Sequence, residues 1–321
     1  MRLLMVELSR FRSRRAIVLI VLAAALLVGL VAGTTVWDTR PVSATELARA
    51  EAQAEKEAAQ PWVQDELEAC REDAQMYLGG NTEVTCEEAV LPQPAWFLDR
   101  QQLDLEAQKD NNGLAVLVIT AGLMIIVGTT FAGADWGSGS MSNQLLFRPR
   151  RGQVWLAKAA AVFLATLVVS AVVVAGFWAA LLLAADARDI TTAASVREQI
   201  GWSAGRGVLL AALGATGGYA LTMLFRHTVG VLALLFGYTV GGEMLIAALP
   251  FEGSGRWSLG NNVFAWIQHG YEYYDYSLPC TEQQCDQLAV VTFSQGVTYL
   301  GVLLLVVAVA SVLSFRRRDI P

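Results

Sequence analysis

Six long apolar runs divide the chain, at 16–36, 113–133, 160–184, 207–225, 229–249 and 293–315. A hydrocarbon layer of about 30 Å takes about 20 helical residues to cross, and every run is close to or above that length. Ala, Leu, Val and Gly dominate the runs, and none alternates with a period of two, so the pattern predicts helices rather than a barrel. The expected fold is an all-α polytopic membrane protein with six transmembrane helices.

The polar gaps between the runs alternate in character. Arg2, Arg10, Arg12, Arg14 and Arg15 precede the first run, and Arg148, Arg150, Arg151 and Lys158 follow the second. Arg226 follows the fourth, and Arg316, Arg317 and Arg318 follow the sixth; only Glu7, Asp135 and Asp319 oppose them. Basic segments stay on the cytoplasmic side, which predicts that both termini are cytoplasmic. The remaining gaps are acidic, so the net charge of −6 reflects the outer loops and carries no message about nucleic acid. Overall, 55% of the 321 residues are hydrophobic, too many for a soluble domain of this length.

All four cysteines, Cys70, Cys86, Cys280 and Cys285, fall in the acidic gaps, the side on which disulfides persist. Three pairings are possible; the local bridges Cys70–Cys86 and Cys280–Cys285 are the simplest, and free thiols are the alternative. The first run has the basic start of a signal peptide. It is longer than an ordinary signal core, however, and no small-x-small cleavage site follows before Trp37, so it reads as an uncleaved anchor.

The gaps also have internal structure. Residues 1–15 predict an amphipathic interfacial helix, with Leu4, Leu8 and Phe11 on one face and Glu7, Arg10 and Arg14 on a neighbouring one. Residues 37–112 predict a small helical outer insertion. Ser43 to Glu46 is a capping box opening one helix. Pro61 starts a second, which carries Cys70 and stops near Gly79 and Gly80, and 99–110 forms a third. Residues 134–159 form the main inner segment, with a Gly/Ser-rich start, a short helix over Ser140–Phe147, a stop at Pro149 and a basic exit. A plain connector needs only a few residues, so this one is long enough to dock onto something. An outer loop at 185–206, a tight inner turn at 226–228 and an inner tail at 316–321 complete the plan. The outer segment 250–292 is rich in aromatics (Trp257, Phe264, Trp266, Tyr271, Tyr273, Tyr274 and Tyr276), and 261–269 reads as a re-entrant or interfacial helix.

Catalytic patterns are missing. No G-x-x-x-x-G-K-[ST], H-E-x-x-H, C-x-x-C or G-x-S-x-G occurs, and the two histidines, His227 and His269, fall on opposite predicted faces, so no metal site is expected. The chain is read as a non-enzyme. The one clear acid within a run is Glu243. It is either part of a substrate or proton path, or a structural group that snorkels outward, caps a broken helix or pairs with Arg206. The glycines at 214, 217, 218, 230, 237, 241 and 242 permit close helix contact or helix breaks, with packing the plainer role.

The segment GSGSM at 137–141, running through LLFRP at 145–149 to Lys158, together with the FRRRD ending at 315–319, resembles the permease subunit of type-2 ABC exporters. The resemblance covers most of the chain: the amphipathic start, six spans, a long first inner loop and an aromatic outer segment before the last span. It implies that ATP and Mg are bound by a separate cytoplasmic ATPase, with no cofactor in this chain, and that the permease works in the plasma membrane as a dimer with a second copy or a paralogue. It further implies a coupling helix over 138–151, in which Ser138, Met141, Gln144, Leu145, Arg148, Pro149 and Arg151 meet the ATPase, with Glu7 and Arg10 nearby. The cargo would be hydrophobic or amphipathic: a drug, peptide or lipid. The insertion at 37–112 departs from the compact members of that family. An ion-coupled secondary transporter and a non-transporting sensor or scaffold using the outer insertion are the competing readings.

Overall fold

The computed structural model describes residues 2–78, 84–98, 100–249, 251–275, 278 and 287–317. The expected Cys280–Cys285 bridge, Tyr276, Arg318, Asp319 and the expected helix stop at Gly79 and Gly80 lie outside the described residues.

In chain order the helices are α1 (Arg2–Ser13), α2 (Arg15–Asp38), α3 (Ala44–Ala58), α4 (Pro61–Glu72), α5 (Ala74–Tyr77), α6 (Cys86–Val90), α7 (Leu105–Gln108), α8 (Leu114–Gly137), α9 (Ser140–Phe147), α10 (Arg151–Asp186), α11 (Ala194–Phe225), α12 (Thr228–Gly237), α13 (Glu243–Ala247) and α14 (Leu259–Gln268). Strands β1 (Gly270–Tyr274) and β2 (Leu288–Thr292) follow, then α15 (Phe293–Arg317). Among the described residues, six helical segments are long and apolar enough to cross a membrane: Arg15–Asp38, Leu105–Gly137, Arg151–Asp186, Ala194–Phe225, Thr228–Ala247 and Phe293–Arg317. The chain is thus a mostly helical, multi-pass membrane protein. The departure from helix among the described residues is the antiparallel pairing of β1 with β2, Gly270 opposite Thr292 and Tyr274 opposite Leu288.

The chain divides into two compact units. The first comprises Met1–Ala32, Leu105–Leu182 and Thr192–Pro321. Its centre is the pair α8 and α11, which approach closely because glycines face carbonyls across the contact. A Cβ on Gly128 would lie 1.9 Å from the Ala215 carbonyl oxygen, and one on Gly218 would lie 2.7 Å from that of Ile125. Small residues at such crossings substitute backbone contact for side-chain contact, the usual route to helix association in lipid. Around this seam a core gathers Phe11, Met124, Phe131, Met141, Trp155, Tyr219 and Phe315. Gly237 and Gly241, in contrast, face open space, so the glycines of the fifth span do not share the packing role of those in the fourth.

The fifth span carries a bulge. A π-helical turn at Tyr238–Gly242 joins α12 to α13 within one continuous helix. Before it, Arg226 takes the left-handed conformation that ends α11, and the His227 Nδ1 accepts from the Gly230 N–H at 2.9 Å to cap α12. After it, Glu243 does not meet Arg206. Its carboxylate accepts from the Ser258 hydroxyl at 2.6 Å and the Gly260 N–H at 3.0 Å, capping α14 from the neighbouring helix. The expected 261–269 helix is α14, which ends at His269 in a left-handed C-cap.

The second unit comprises Gly33–Asp104 and Leu183–Thr191. Ser43 caps α3, its side chain accepting from the Glu46 N–H while the Glu46 carboxylate accepts from the Ser43 N–H at 2.9 Å. The Arg100 guanidinium also binds Glu46. Cys70 and Cys86 form a disulfide joining α4 to α6, packed with Leu67, Leu78, Val90 and Leu91. Two expectations need correction. The second helix is interrupted at Asp73, which leaves helical geometry, and resumes as α5 over Ala74–Tyr77. The expected helix over 99–110 starts only at Leu105, since 100–104 form no helix and Asp99 lies outside the described residues.

Candidate functional site: a buried ion network under the α9 helix

Glu7 shares the inward stripe of α1 with Leu4, Leu8 and Phe11, at i+3 from Leu4 and four before Phe11, a spacing that places all four on one face. Met5, Val6 and Arg12 face outward. The Glu7 side chain is completely buried. Burying a carboxylate without a partner is costly, so its surroundings must supply charge and donors. They do: the Lys158 Nζ donates to Glu7 Oε2 at 2.8 Å, and the Gln144 Nε2 donates to Oε1 at 2.6 Å.

Lys158 stands about two turns into α10, the single charge between Arg151 and Asp186. It is also fully buried, and its second acceptor is Asp135 Oδ2 at 2.5 Å. Asp135 closes the network. It accepts from Ser140 Oγ at 2.8 Å and from the guanidinium of Arg14. Arg14 further donates to the Phe131 carbonyl at 2.7 Å and lies over the Phe131 ring. Arg10, 3.6 Å from Glu7, donates to Gln144 Oε1 at 3.2 Å at the exposed edge. Two carboxylates thus meet Lys158, Arg14 and, at the exposed edge, Arg10, and every carboxylate oxygen holds a donor. Such a pair resists the loss of either partner far more than it stabilises the fold outright.

The network ties α9 to α1, α8 and α10. Its polar contacts come from one side of the short helix, through Ser140 and Gln144, with Met141 buried between them. The left-handed Gly139 makes the sharp turn from α8 into α9. The far end of α9 is bare: Leu146 is 80% exposed and Phe147 87% exposed, followed by exposed Arg148, Pro149 and Arg150.

The residues expected from sequence at this segment therefore separate into groups. Glu7, Arg10 and Gln144 are joined by hydrogen bonds. Met141 is core, and Leu145 is half-buried against the core rather than outward-facing. Ser138 caps α8 by donating to the Ala134 carbonyl at 2.7 Å. Arg148 and Pro149 are exposed, while Arg151 reaches the last turn of α15 through the Phe315 carbonyl at 3.4 Å. The residues that sequence reasoning passed over are Asp135 and Lys158, taken only as topology signals, and the exposed pair Leu146 and Phe147. Glu243 lies elsewhere, at the α14 cap. Among the described residues no group of three or more His, Cys, Asp or Glu side chains is arranged to hold a metal ion.

Comparison with protein-family models, with curated proteins and with solved structures finds no match to this chain.

Proposed function

We propose that this chain is the transmembrane permease subunit of an ATP-driven type-2 ABC exporter in a bacterial plasma membrane, with both termini cytoplasmic and α1 at the inner interface. The observation that carries the reading is the two-faced character of α9. One side is bonded into the Glu7–Lys158–Asp135 network, which reaches three helices of the bundle. The other end offers Leu146 and Phe147, two large, exposed apolar side chains followed by the exposed Arg148 and Arg150. A helix built this way passes force from a docked partner into the spans. In this reading the partner is a cytoplasmic ATPase that binds ATP and Mg itself, and its closure pushes α9 against α1, α8 and α10.

A second copy or paralogue would complete the transport path. The poorly covered faces of α2, α12 and α15, which carry Leu22, Leu26, Phe236 and Val306 among others, are available to that copy and to lipid. The cargo would be a hydrophobic or amphipathic molecule.

An ion-coupled secondary transporter draws on the same network, since buried ionisable side chains in a membrane bundle often carry ions. The network's fully bonded carboxylates, met by more than one cation, favour a rigid joint over a site that exchanges protons.

The test is co-purification of the tagged protein after mild solubilisation, with ATPase assay and mass spectrometry. A stoichiometric ATPase should accompany the native chain and be lost with Phe147→Asp, whose site is exposed and outside the core. A preparation free of any ATPase would remove the exporter reading.

A further inference from the structure

At the opposite end of α8 from Asp135, a cleft of about 660 Å³ opens between the π-helical turn Lys109–Gly113, α11, the end of α14 and the start of α15. That volume is within the range of small-molecule sites, about 300–1,000 Å³. Its walls are largely apolar, with Leu114, Ile267, Trp202 and Phe293 among the lining residues. Its cations are Arg206 and Lys109.

Arg206 is the informative residue. No carboxylate among the described residues reaches ion-pair distance of its guanidinium, and its Nε–H is enclosed without an acceptor. Its guanidinium carbon lies 5.9 Å from the centre of the Phe293 ring, which His269 stacks on from 4.8 Å. The Trp266 indole donates to the Arg206 carbonyl at 2.9 Å, holding the backbone in place. With no described carboxylate at ion-pair distance, the guanidinium charge lining the cleft favours an anion entering it. Lys109 adds a second positive charge. It donates to Gln199 Oε1 at 2.8 Å and is only loosely offset by Asp110 at 3.6 Å. Trp202 is 66% exposed, a flat apolar surface held at the mouth.

We infer that this cleft binds an anionic amphiphile, with a phosphate or carboxylate headgroup on Arg206 and Lys109 and an apolar chain along Trp202 and Leu114. Guanidinium recognises such oxyanions by paired N–H donors, which an ammonium cannot reproduce. The site belongs to this chain alone and does not draw on the exporter reading. Its test reads binding without any ATPase.

The experiment is microscale thermophoresis of the purified chain in dodecyl maltoside, titrated with dodecyl phosphate. The neutral amphiphile is already in excess, so saturable binding reports the headgroup. Binding should weaken at least tenfold in Arg206→Gln and fall to an intermediate value in Arg206→Lys. Trp202→Ala, at an exposed position, should weaken the tailed probe without disturbing the fold and serves if Arg206→Gln does not fold. Competition by phosphatidylglycerol would identify the ligand as a bilayer lipid. Competition by inorganic phosphate would show that the headgroup alone suffices. Competition by neither would mark an amphiphile arriving from water. Equal affinity in the native chain and the Arg206 variants, or no saturable binding of any anionic probe, would overturn the proposal.

Discussion

The Lys158 ammonium lies 2.8 Å from the Glu7 carboxylate across 151 residues of sequence, with both side chains wholly buried. This contact anchors the first helix of the chain to the third span, and it sets the expectations for mutation at the network.

Lys158→Met should be among the most damaging single substitutions, because it removes the buried ammonium that both Glu7 and Asp135 share. Breaking a buried pair from one side costs about 3–5 kcal/mol. Glu7→Gln combined with Lys158→Met should be milder than the sum of the two single changes, by more than about 1 kcal/mol, since no orphaned charge remains. Thermal unfolding of the four proteins in one detergent measures the coupling; strict additivity would show that the two residues act independently.

Gly128→Leu should separate α8 from α11. The smallest side chain already places its Cβ 1.9 Å from the Ala215 carbonyl oxygen, and overpacking costs about 1–3 kcal/mol or more. Gly122→Ala on the same helix, where a Cβ meets nothing within 4 Å, should be close to neutral. A similar drop in melting temperature for both would count against the glycine seam.

Replacing both Cys70 and Cys86 by Ser should lower the stability of the second unit by about 2–4 kcal/mol, because a closed loop of this size restricts the unfolded chain. Proteolysis between α4 and α6 should accelerate in the variant, and on addition of reductant to the native protein, while the membrane-spanning helices remain resistant.

Hydrogen bonds from Ser43 hold the Glu46 carboxyl below its ordinary value of 4.5, with Arg100 and Arg40 adding to the effect. A lowered carboxyl stabilises the fold above its unfolded value and loses that contribution as pH falls through the folded value. The α3 cap should therefore be complete at neutral pH and open only below pH 4.5. Carboxyl NMR of labelled glutamate should find a midpoint under 4.5 that moves up in Ser43→Ala; an unmoved midpoint would assign the shift to other groups.

Glu243→Gln should leave the protein folded with α14 loosened, since an amide retains one acceptor for either Ser258 or Gly260. The loss of a bond to a charged group is worth about 1.5–3 kcal/mol. Hydrogen exchange at the Gly260 amide is the readout. Unchanged protection would mean that the cap is held by Ser258 alone.

The six spans were legible because a membrane-crossing helix writes itself as an uninterrupted apolar run, a local property. The capping box at Ser43 and the α9 helix before Pro149 were legible for the same reason. The ion network was only half visible. Glu7 has the spacing of the inward stripe, yet its charge argues for the outer face; burial wins because Lys158 waits there. Lys158 is likewise an isolated charge in an apolar run, a signal of internal pairing that basic-loop counting absorbs. Leu145, Leu146 and Phe147 cannot all face the bundle from one short helix, and sequence does not say which turns away. The β1 and β2 pairing brings together segments more than a dozen residues apart, and Leu288–Thr292 reads as the lead-in to the last span. The Arg206 cleft is assembled from four segments, so no local pattern announces it.

The location of Glu7's partner also sets an order of assembly. Chains emerge from the ribosome N-terminus first. The α1 helix is therefore complete long before residue 158 exists, and its carboxylate must remain hydrated while the first two spans insert. Docking of α1 becomes a checkpoint on the arrival of α10. A nascent chain arrested before Lys158 should leave α1 open to labelling, and one arrested after α10 has inserted should protect it.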